Sequence, residues 1–218
     1  MGAVLLWFNR MSEADHLAAL LLTDNTWRRK SVRWVREALS CAPILATAEK
    51  VAGALAEAGI RHVFVGGLAV QQHGYVRNTL DVDIVVSDVD AACDWLAAHG
   101  FKENPGPGGF RRSKVKVIMT DKENGVDVDL MPAGAMVGKS GLPLPQPEKA
   151  DATPQYVDVA TLVSLKLSSC LAEPVNRSKD QADVVELIKA GLPQDLPVDG
   201  SVRTEYARLW SALHARLD

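Results

Sequence analysis

The sequence contains few cysteines and no apolar run long enough to cross a bilayer. Cys41, Cys93 and Cys170 are an odd number without the spacing of a metal site, so we expect free thiols in a reducing compartment. The apolar opening, residues 1–8, is too short for a membrane span and lacks the basic leader of a signal peptide. Met1 and Met11 are alternative starts. These absences predict a cytoplasmic protein without a membrane partner.

The sequence also lacks internal repeats, low-complexity segments and a strong excess of one charge. Its net charge of −3 and pI of about 6.0 argue against a globally basic nucleic-acid-binding surface. The 218 residues, 47% of them apolar, are typical of a globular protein with one sizeable core. We expect an N-terminal helical extension (1–40), an α/β core (41–150) and a C-terminal helical region that packs on the core (151–218).

Hydrophobic periodicity predicts helices before and after a mixed α/β segment. Apolar, β-branched runs predict strands at 62–65, 80–86, 110–118 and 125–131. Apolar residues at helical spacing predict helices at 17–39, 43–59, just after Gly67, and at 87–100, 160–172, 178–191 and 202–217. The helix at 178–191 opens with a predicted capping box, Ser178 to Gln181. The predicted fold class is α/β (α+β), with a small mixed sheet, flanking helices and a C-terminal helical part.

Two aspartates in an apolar strand, Asp81 and Asp83, are the first sign of chemistry. Strand side chains alternate between faces, so these two carboxylates point the same way. Paired carboxylates in apolar surroundings are costly unless a cation lies between them, and a divalent metal is the natural candidate. Upstream, an apolar strand ends in Gly66-Gly67, a turn whose backbone N–H groups suit phosphate.

A third carboxylate comes from the strand at 125–131. Asp127 and Asp129 are again two residues apart and share one face, so either can join the first pair. Three carboxylates on two adjacent strands suffice to hold two Mg²⁺ (or Mn²⁺) ions with water and phosphate oxygens. This pattern predicts phosphoryl or nucleotidyl transfer, in which metals neutralise the charge on phosphate.

These segments resemble a known family. Gly66-Gly67, thirteen intervening residues and Asp81-Val82-Asp83 resemble the signature of the polymerase β-like nucleotidyltransferases. More narrowly, the run from Arg77 to Asp83 resembles the Arg-x-Thr-x-Asp-apolar-Asp motif of the minimal nucleotidyltransferases and the AbiEii-type toxin group. Lys166, followed by the run from Arg177 to Asp183, is similar to the Lys…Arg-x-Lys-Asp-x-x-Asp pattern of the same group. The resemblance covers roughly residues 44–190.

The resemblance implies roles for individual residues. Asp81, Asp83 and Asp129 become catalytic metal ligands, with Asp127 as the alternate for Asp129. Nucleotide binding is assigned to Gly66, Gly67, Arg77, Lys166, Lys179 and Asp180. One departure is that many active members carry Ser where Gly67 stands, which removes a hydroxyl that can reach phosphate.

Structural interpretations stay open for several of these residues. Arg77 either clamps phosphate or pairs with a surface carboxylate. Lys166 either faces the cleft or extends its charge to solvent from a buried helix. Lys179, Asp180 and Asp183 serve either the site or a structural role, in which Asp180 suits the first turn of a helix and Lys179 is solvated.

Two basic stretches likewise have either a binding or a structural interpretation. The cations between residues 28 and 36, interleaved with tryptophans, suit either RNA contact or a solvated helix face. The cations between residues 111 and 116 suit either RNA or triphosphate, or the protection of an edge strand.

The resemblance implies transfer of a nucleoside monophosphate from an NTP, ATP among them, to a hydroxyl of RNA, a tRNA end or a protein. It also implies a toxin with a cognate antitoxin partner. The alternatives are a catalytically silent nucleotide- or partner-binding module, antitoxin-like in role, and an aminoglycoside-type small-molecule nucleotidyltransferase.

Overall fold

A computed structural model describes residues 42–105, 116–136 and 141–215. The chain divides between Ala42 and Pro43 into two units, and the described residues after Ala42 belong to the second. The predicted extension at 1–40, with its basic stretch, lies outside the described residues. So do most of the predicted strand at 110–118 and all of its basic cluster except Lys116.

The described residues form five strands and six helices. The strands are β1 (His62–Phe64), β2 (Asp81–Val86), β3 (Phe101–Asn104), β4 (Val117–Asp121) and β5 (Asp127–Pro132). The helices are α1 (42–57), α2 (Gly66–Gln72), α3 (Val89–Ala98), α4 (Val159–Ala172), α5 (Ser178–Lys189) and α6 (Arg203–His214). No helix among them combines the length and hydropathy that a membrane span requires.

The strands form one mixed sheet in the order β1-β2-β5-β4-β3. The central pair, β2 and β5, is parallel, while the other neighbours are antiparallel. In the parallel register Asp81 lies beside Asp127, and Asp83 lies beside Asp129. The predicted fold class, a small mixed sheet with flanking helices and a C-terminal helical part, is confirmed.

The alternation of side chains along β2 and β5 separates two apolar layers. Val82 and Ile84 of β2 and Leu130 of β5 belong to a core that includes residues of α1 and α3. Val85, on the opposite face, packs into a second core formed largely by α4, α5 and α6. Because strand side chains alternate, the four aspartates of β2 and β5 share the face of this second layer.

Two local predictions differ from the structure. Strand β3 was not predicted, because Lys102 and Glu103 interrupt any apolar pattern. The predicted capping box is wrong: α5 begins after Arg177 without a side-chain cap. Gln181, which would close the box, instead donates to Glu205 at the start of α6, 3.2 Å away.

Candidate active site

A cluster of three carboxylates lies where β2 and β5 begin. Asp81, Asp83 and Asp129 each place an oxygen within 4.8 Å of the others. The parallel pairing brings Asp83 beside Asp129, and the period of two in β2 puts Asp81 on the same face. Neighbouring strands lie about 4.8 Å apart, so this spacing follows from the register.

The cluster is electrostatically strained. Burial, followed by repulsion from Asp81 and Asp129, raises the pKa of Asp83 to about 6, although Lys166 and a backbone hydrogen bond from Gly67 oppose the rise. Burial also raises the pKa of Asp129, against the effect of Lys116, whose ammonium forms a short ion pair with that carboxylate. Three nearby carboxylates of this kind attract a cation.

Asp127, the alternate third ligand, lies outside this cluster. Its Oδ1 accepts a hydrogen bond from Thr120 Oγ1 at 2.5 Å, and Asn104 Nδ2 lies 3.4 Å from both of its oxygens. Asp127 lines a separate polar hollow beside β3 and β4. Of the two aspartates in β5, the structure brings Asp129 to the site.

The glycine turn after β1 is shaped by its approach to the carboxylates. Gly66 has a φ of 61°, and a Cβ there would lie 1.8 Å from Asp83 Oδ2. Only glycine therefore fits, for both backbone and steric reasons. The turn and β2 are thus in direct contact.

Thr79 explains the second glycine. A Cβ on Gly67 would lie 2.4 Å from Thr79 Oγ1, so no side chain fits while Thr79 is present. The Thr79 hydroxyl lies 3.1 Å from Asp81 Oδ1, to which it donates, and it lines the same cleft. The Thr79 hydroxyl thus fills the space that a side chain at residue 67 would need.

Arg77 lies over the glycine turn and pairs with a buried carboxylate. Its Nη2 is 3.3 Å from the position that a Cβ on Gly67 would take. Its Nε lies 2.8 Å from Asp183 Oδ1, and its Nη2 donates to Asp183 Oδ2 at 3.1 Å. The carboxylate partner is therefore not on the surface, since Asp183 is 1% exposed.

Lys166 extends the same network from α4. The residue is 7% exposed, and its Nζ lies 2.7 Å from Asp183 Oδ2 and 2.9 Å from Asp180 Oδ1. Buried ammonium groups need such partners. Lys166 is thus held by two carboxylates of α5 and does not extend its charge to solvent.

These groups line one cleft of about 520 Å³. Its lining includes every residue that the resemblance assigns to metal or nucleotide except the alternate Asp127: Gly66, Gly67, Arg77, Asp81, Asp83, Asp129, Lys166, Lys179 and Asp180. Lys179 and Arg177 are exposed there. Leu144, Leu162 and Leu165 add an apolar wall. The cleft thus combines carboxylates, cations and an apolar surface.

Sequence reasoning did not assign Thr79 or Lys116 to the site, and it left Asp183 open between the site and a structural role. The motif that resembles the family contains Thr79 and Asp183, so their spacing was available as a signal. Lys116 was seen only as part of a basic strand, and nothing in the sequence indicated its contact with Asp129.

The donor set fits a divalent metal such as Mg²⁺ or Mn²⁺. All three ligand candidates offer carboxylate oxygens, which these hard cations prefer, and the cluster contains neither sulfur nor imidazole. A bound cation would also offset the repulsion from Asp81 and Asp129 that adds to burial in raising the pKa of Asp83.

Nine chains among the solved structures are similar to this chain. No family model and no curated protein matches the chain. The structure of a CCA-adding enzyme in complex with CTP matches with a TM-score of 0.39 and 15% identity, over 82% of this chain and 43% of that chain. The chain therefore spans less than half the length of that protein.

Proposed function

We propose that the protein is a metal-dependent nucleotidyltransferase, which transfers a nucleoside monophosphate from an NTP to an acceptor hydroxyl and releases pyrophosphate. The observation that carries the proposal is the cluster of Asp81, Asp83 and Asp129 within 4.8 Å, in a cleft lined by cations. A carboxylate cluster binds metal, and neighbouring cations bind the phosphates that metal also contacts.

Asp81, Asp83 and Asp129 would hold Mg²⁺ or Mn²⁺. The bound metal supplies activation of the attacking hydroxyl and charge neutralisation on the leaving pyrophosphate. The chain itself contributes binding and orientation. Gly66 and Gly67 let the turn approach Asp83 and Thr79 closely, because a Cβ on either glycine would clash with those side chains, and the backbone N–H groups of the turn suit phosphate.

The cations of the cleft suit the triphosphate of the substrate, and its apolar residues suit the nucleoside. Arg77 and Lys166 face the cleft from two sides and bind triphosphate oxygens, and Lys179 extends the positive surface at its rim. The wall that includes Leu144 and Leu162 suits the nucleobase and ribose, and it excludes water from the reacting phosphate.

The acceptor is an RNA or tRNA end, or a hydroxyl of a protein side chain. The resemblance to the AbiEii-type group supports both, together with the role of a toxin whose antitoxin is a cognate partner protein. That support is a family analogy.

A labelling experiment tests the proposal and names the acceptor class. The protein is incubated with Mg²⁺, each α-labelled NTP in turn, and total cellular RNA or protein, and the products are separated on a denaturing gel. We expect label on an RNA or a protein band, and its loss in the Asp81→Asn variant.

Each contrary outcome has its own meaning. Label only on small molecules supports an aminoglycoside-type enzyme. Mg²⁺-dependent NTP binding without transfer indicates the silent binding module. Label that persists in Asp81→Asn contradicts the metal assignment, and the absence of both label and NTP binding refutes the proposed function.

A further inference from the structure

Asp183 is the buried centre of an ion network that joins three parts of the fold. One of its oxygens lies 2.8 Å from Arg77 Nε, and the other lies 3.1 Å from Arg77 Nη2 and 2.7 Å from Lys166 Nζ. The three residues come from the segment before β2, from α4 and from α5. A single carboxylate therefore fixes two cations that are far apart in the sequence.

Stability alone does not account for this network. Buried ion pairs contribute little net stability, because desolvation offsets their attraction, and apolar replacements are often as stable. Yet removal of one partner leaves an uncompensated buried charge. What distinguishes the network is its location, because Arg77 and Lys166 both line the cleft.

Both cations keep N–H groups for a ligand. Within the described residues, Arg77 donates through Nη2 to Asp183 and through Nη1 to the Asn78 carbonyl, which leaves one N–H on each of these nitrogens. Lys166 has three N–H groups and contacts two carboxylates, so at least one N–H remains. Asp183 thus orients the two cations without exhausting their donors.

The two cations also lie beside the reacting groups. Arg77 Nη2 is 3.3 Å from the place where Gly67 would carry a Cβ. Lys166 lines the same cleft as Asp81, Asp83 and Asp129. A triphosphate that reached the carboxylate cluster past the glycine turn would meet both cations.

We infer that Asp183 is a positioning residue that presents Arg77 and Lys166 as a pair to the triphosphate of the NTP. The inference rests on the proposed function and deepens it. Without the Asp183 carboxylate, Lys166 still pairs with Asp180. Arg77, in contrast, loses the carboxylate that its Nε and Nη2 both contact. Arg77 then retains its charge but not its orientation.

The test compares Asp183→Asn with Asp121→Asn. Asp121 is a matched control, because it is fully buried and pairs with Lys50 at 2.6 Å but does not line the cleft. Calorimetry gives the Kd of NTP and of inorganic triphosphate with Mg²⁺, and thermal unfolding gives the stability of each variant. We expect Asp183→Asn to raise both Kd values about tenfold or more. Asp121→Asn should change them less than twofold at a comparable loss of thermal stability.

A double-mutant cycle shows whether Asp183 acts through Arg77. Arg77→Lys keeps the charge but cannot face both Asp183 oxygens, so we expect it to weaken NTP binding as well. The effects of Asp183→Asn and Arg77→Lys should then be strongly non-additive. If Asp183→Asn does not fold, the Kd of NTP is measured for Arg77→Lys alone. A Kd of this variant within twofold of wild type overturns the inference.

Failure of the inference is distinct from failure of the proposed function. If Asp183→Asn loses stability like Asp121→Asn but binds NTP like wild type, the network is structural only and the inference is overturned, while the enzyme assignment stands. Additive effects in the cycle likewise overturn it. If the wild-type protein binds neither NTP nor triphosphate, the proposed function fails, and the inference fails with it.

Discussion

Asp83 of β2 and Asp129 of β5 are paired in register across the single parallel strand pair among the described residues. A parallel pair makes both strands begin at the same edge, so each contributes an aspartate to the same place. With Asp81 two residues earlier, the pairing creates the three-carboxylate cluster. The proposed chemistry therefore depends on one element of sheet topology.

Loss of Asp83 should abolish transfer without weakening the fold. Asp83→Asn removes a proposed metal ligand together with a charge that is both buried and repelled, since burial and then repulsion raise the pKa of this carboxyl to about 6. We expect at least a ~10³-fold loss of kcat/KM, with a thermal midpoint equal to or above that of wild type. Nucleotidyl-transfer assays and thermal unfolding measure the two effects.

Asp127→Asn is the matched control, because Asp127 lies on the same face of β5 but outside the cluster. It should retain transfer within about threefold of wild type. A loss as large as that of Asp83→Asn would show that the third ligand is Asp127 and not Asp129.

Divalent metal should stabilise the protein, and the effect should depend on pH. The pKa of Asp83 is raised to about 6 in the folded state, above the 3.8 of an unperturbed carboxyl. The folded state therefore binds the proton more tightly, and metal-free stability falls as pH rises from about 4 to 6, by roughly 3 kcal/mol. Above pH 6 metal should recover this loss.

Thermal unfolding with Mg²⁺ or with a chelator, at pH 7.5 and 5.0 (about one unit or more to either side of that pKa), measures this linkage. We expect a larger increase in the midpoint at the higher pH, and none in Asp83→Asn. Equal shifts at both pH values would mean that Asp83 does not contact the metal.

Gly66→Ala should damage the fold through a specific clash. Its φ of 61° and the 1.8 Å approach of an added Cβ to Asp83 Oδ2 both oppose the substitution. Gly125 has a similar φ of 69°, but nothing lies within 4 Å of its added Cβ. Gly125→Ala should therefore cost about 1–2 kcal/mol for the backbone alone, and Gly66→Ala at least about 2 kcal/mol more.

Denaturant unfolding measures both glycine variants. Equal losses in the free energy of unfolding would mean that Asp83 moves away at no cost, and that the turn does not constrain the carboxylate. Transfer assays on any folded Gly66→Ala protein would then report whether Asp83 still serves as a metal ligand.

Asp121→Asn should alter acid unfolding. Burial alone would raise the pKa of Asp121, but hydrogen bonds from Lys50, Asn124, the Glu123 N–H and Thr47 outweigh it and lower the pKa to about 2. The group thus contributes stability that is present above about pH 4 and lost as pH falls toward 2, worth about 2 kcal/mol.

Urea unfolding across this pH range should show a flatter dependence in the variant than in wild type. The same slope in both proteins would mean that other carboxylates dominate acid unfolding. The variant also serves as the control for Asp183→Asn, so its stability at neutral pH is needed in any case.

Much of the fold could be predicted from the sequence, because its signals are local. The alternation of Asp81 and Asp83 with apolar residues specified both the strand and the shared face. The choice between Asp127 and Asp129 could not be made in this way. It depends on Thr120 and Asn104, which reach Asp127 only because β4 and β3 lie beyond β5 in the sheet.

The partners of Asp183 could not be predicted from the sequence for a related reason. Asp183 lies 106 positions from Arg77 in the chain, and no periodicity links the two. The wrong capping box shows the same limit on a smaller scale. Gln181 donates a hydrogen bond to Glu205, 24 positions away, and not to the start of its own helix. Local patterns predict elements, whereas partners across the fold are decided by packing.

The parallel pairing of β2 and β5 also has a consequence for the order of folding. Between these strands the chain builds α3, β3 and β4, so Asp83 meets Asp129 only after a long segment has been arranged. Closing such a loop is entropically costly, and non-local pairing is correspondingly slow. A nascent chain that has not yet emerged beyond β4 carries Asp81 and Asp83 but no third ligand. The proposed activity would therefore require that β5 has been made and the sheet completed, and that α4 and α5 then supply Lys166, Lys179 and Asp180 to the cleft.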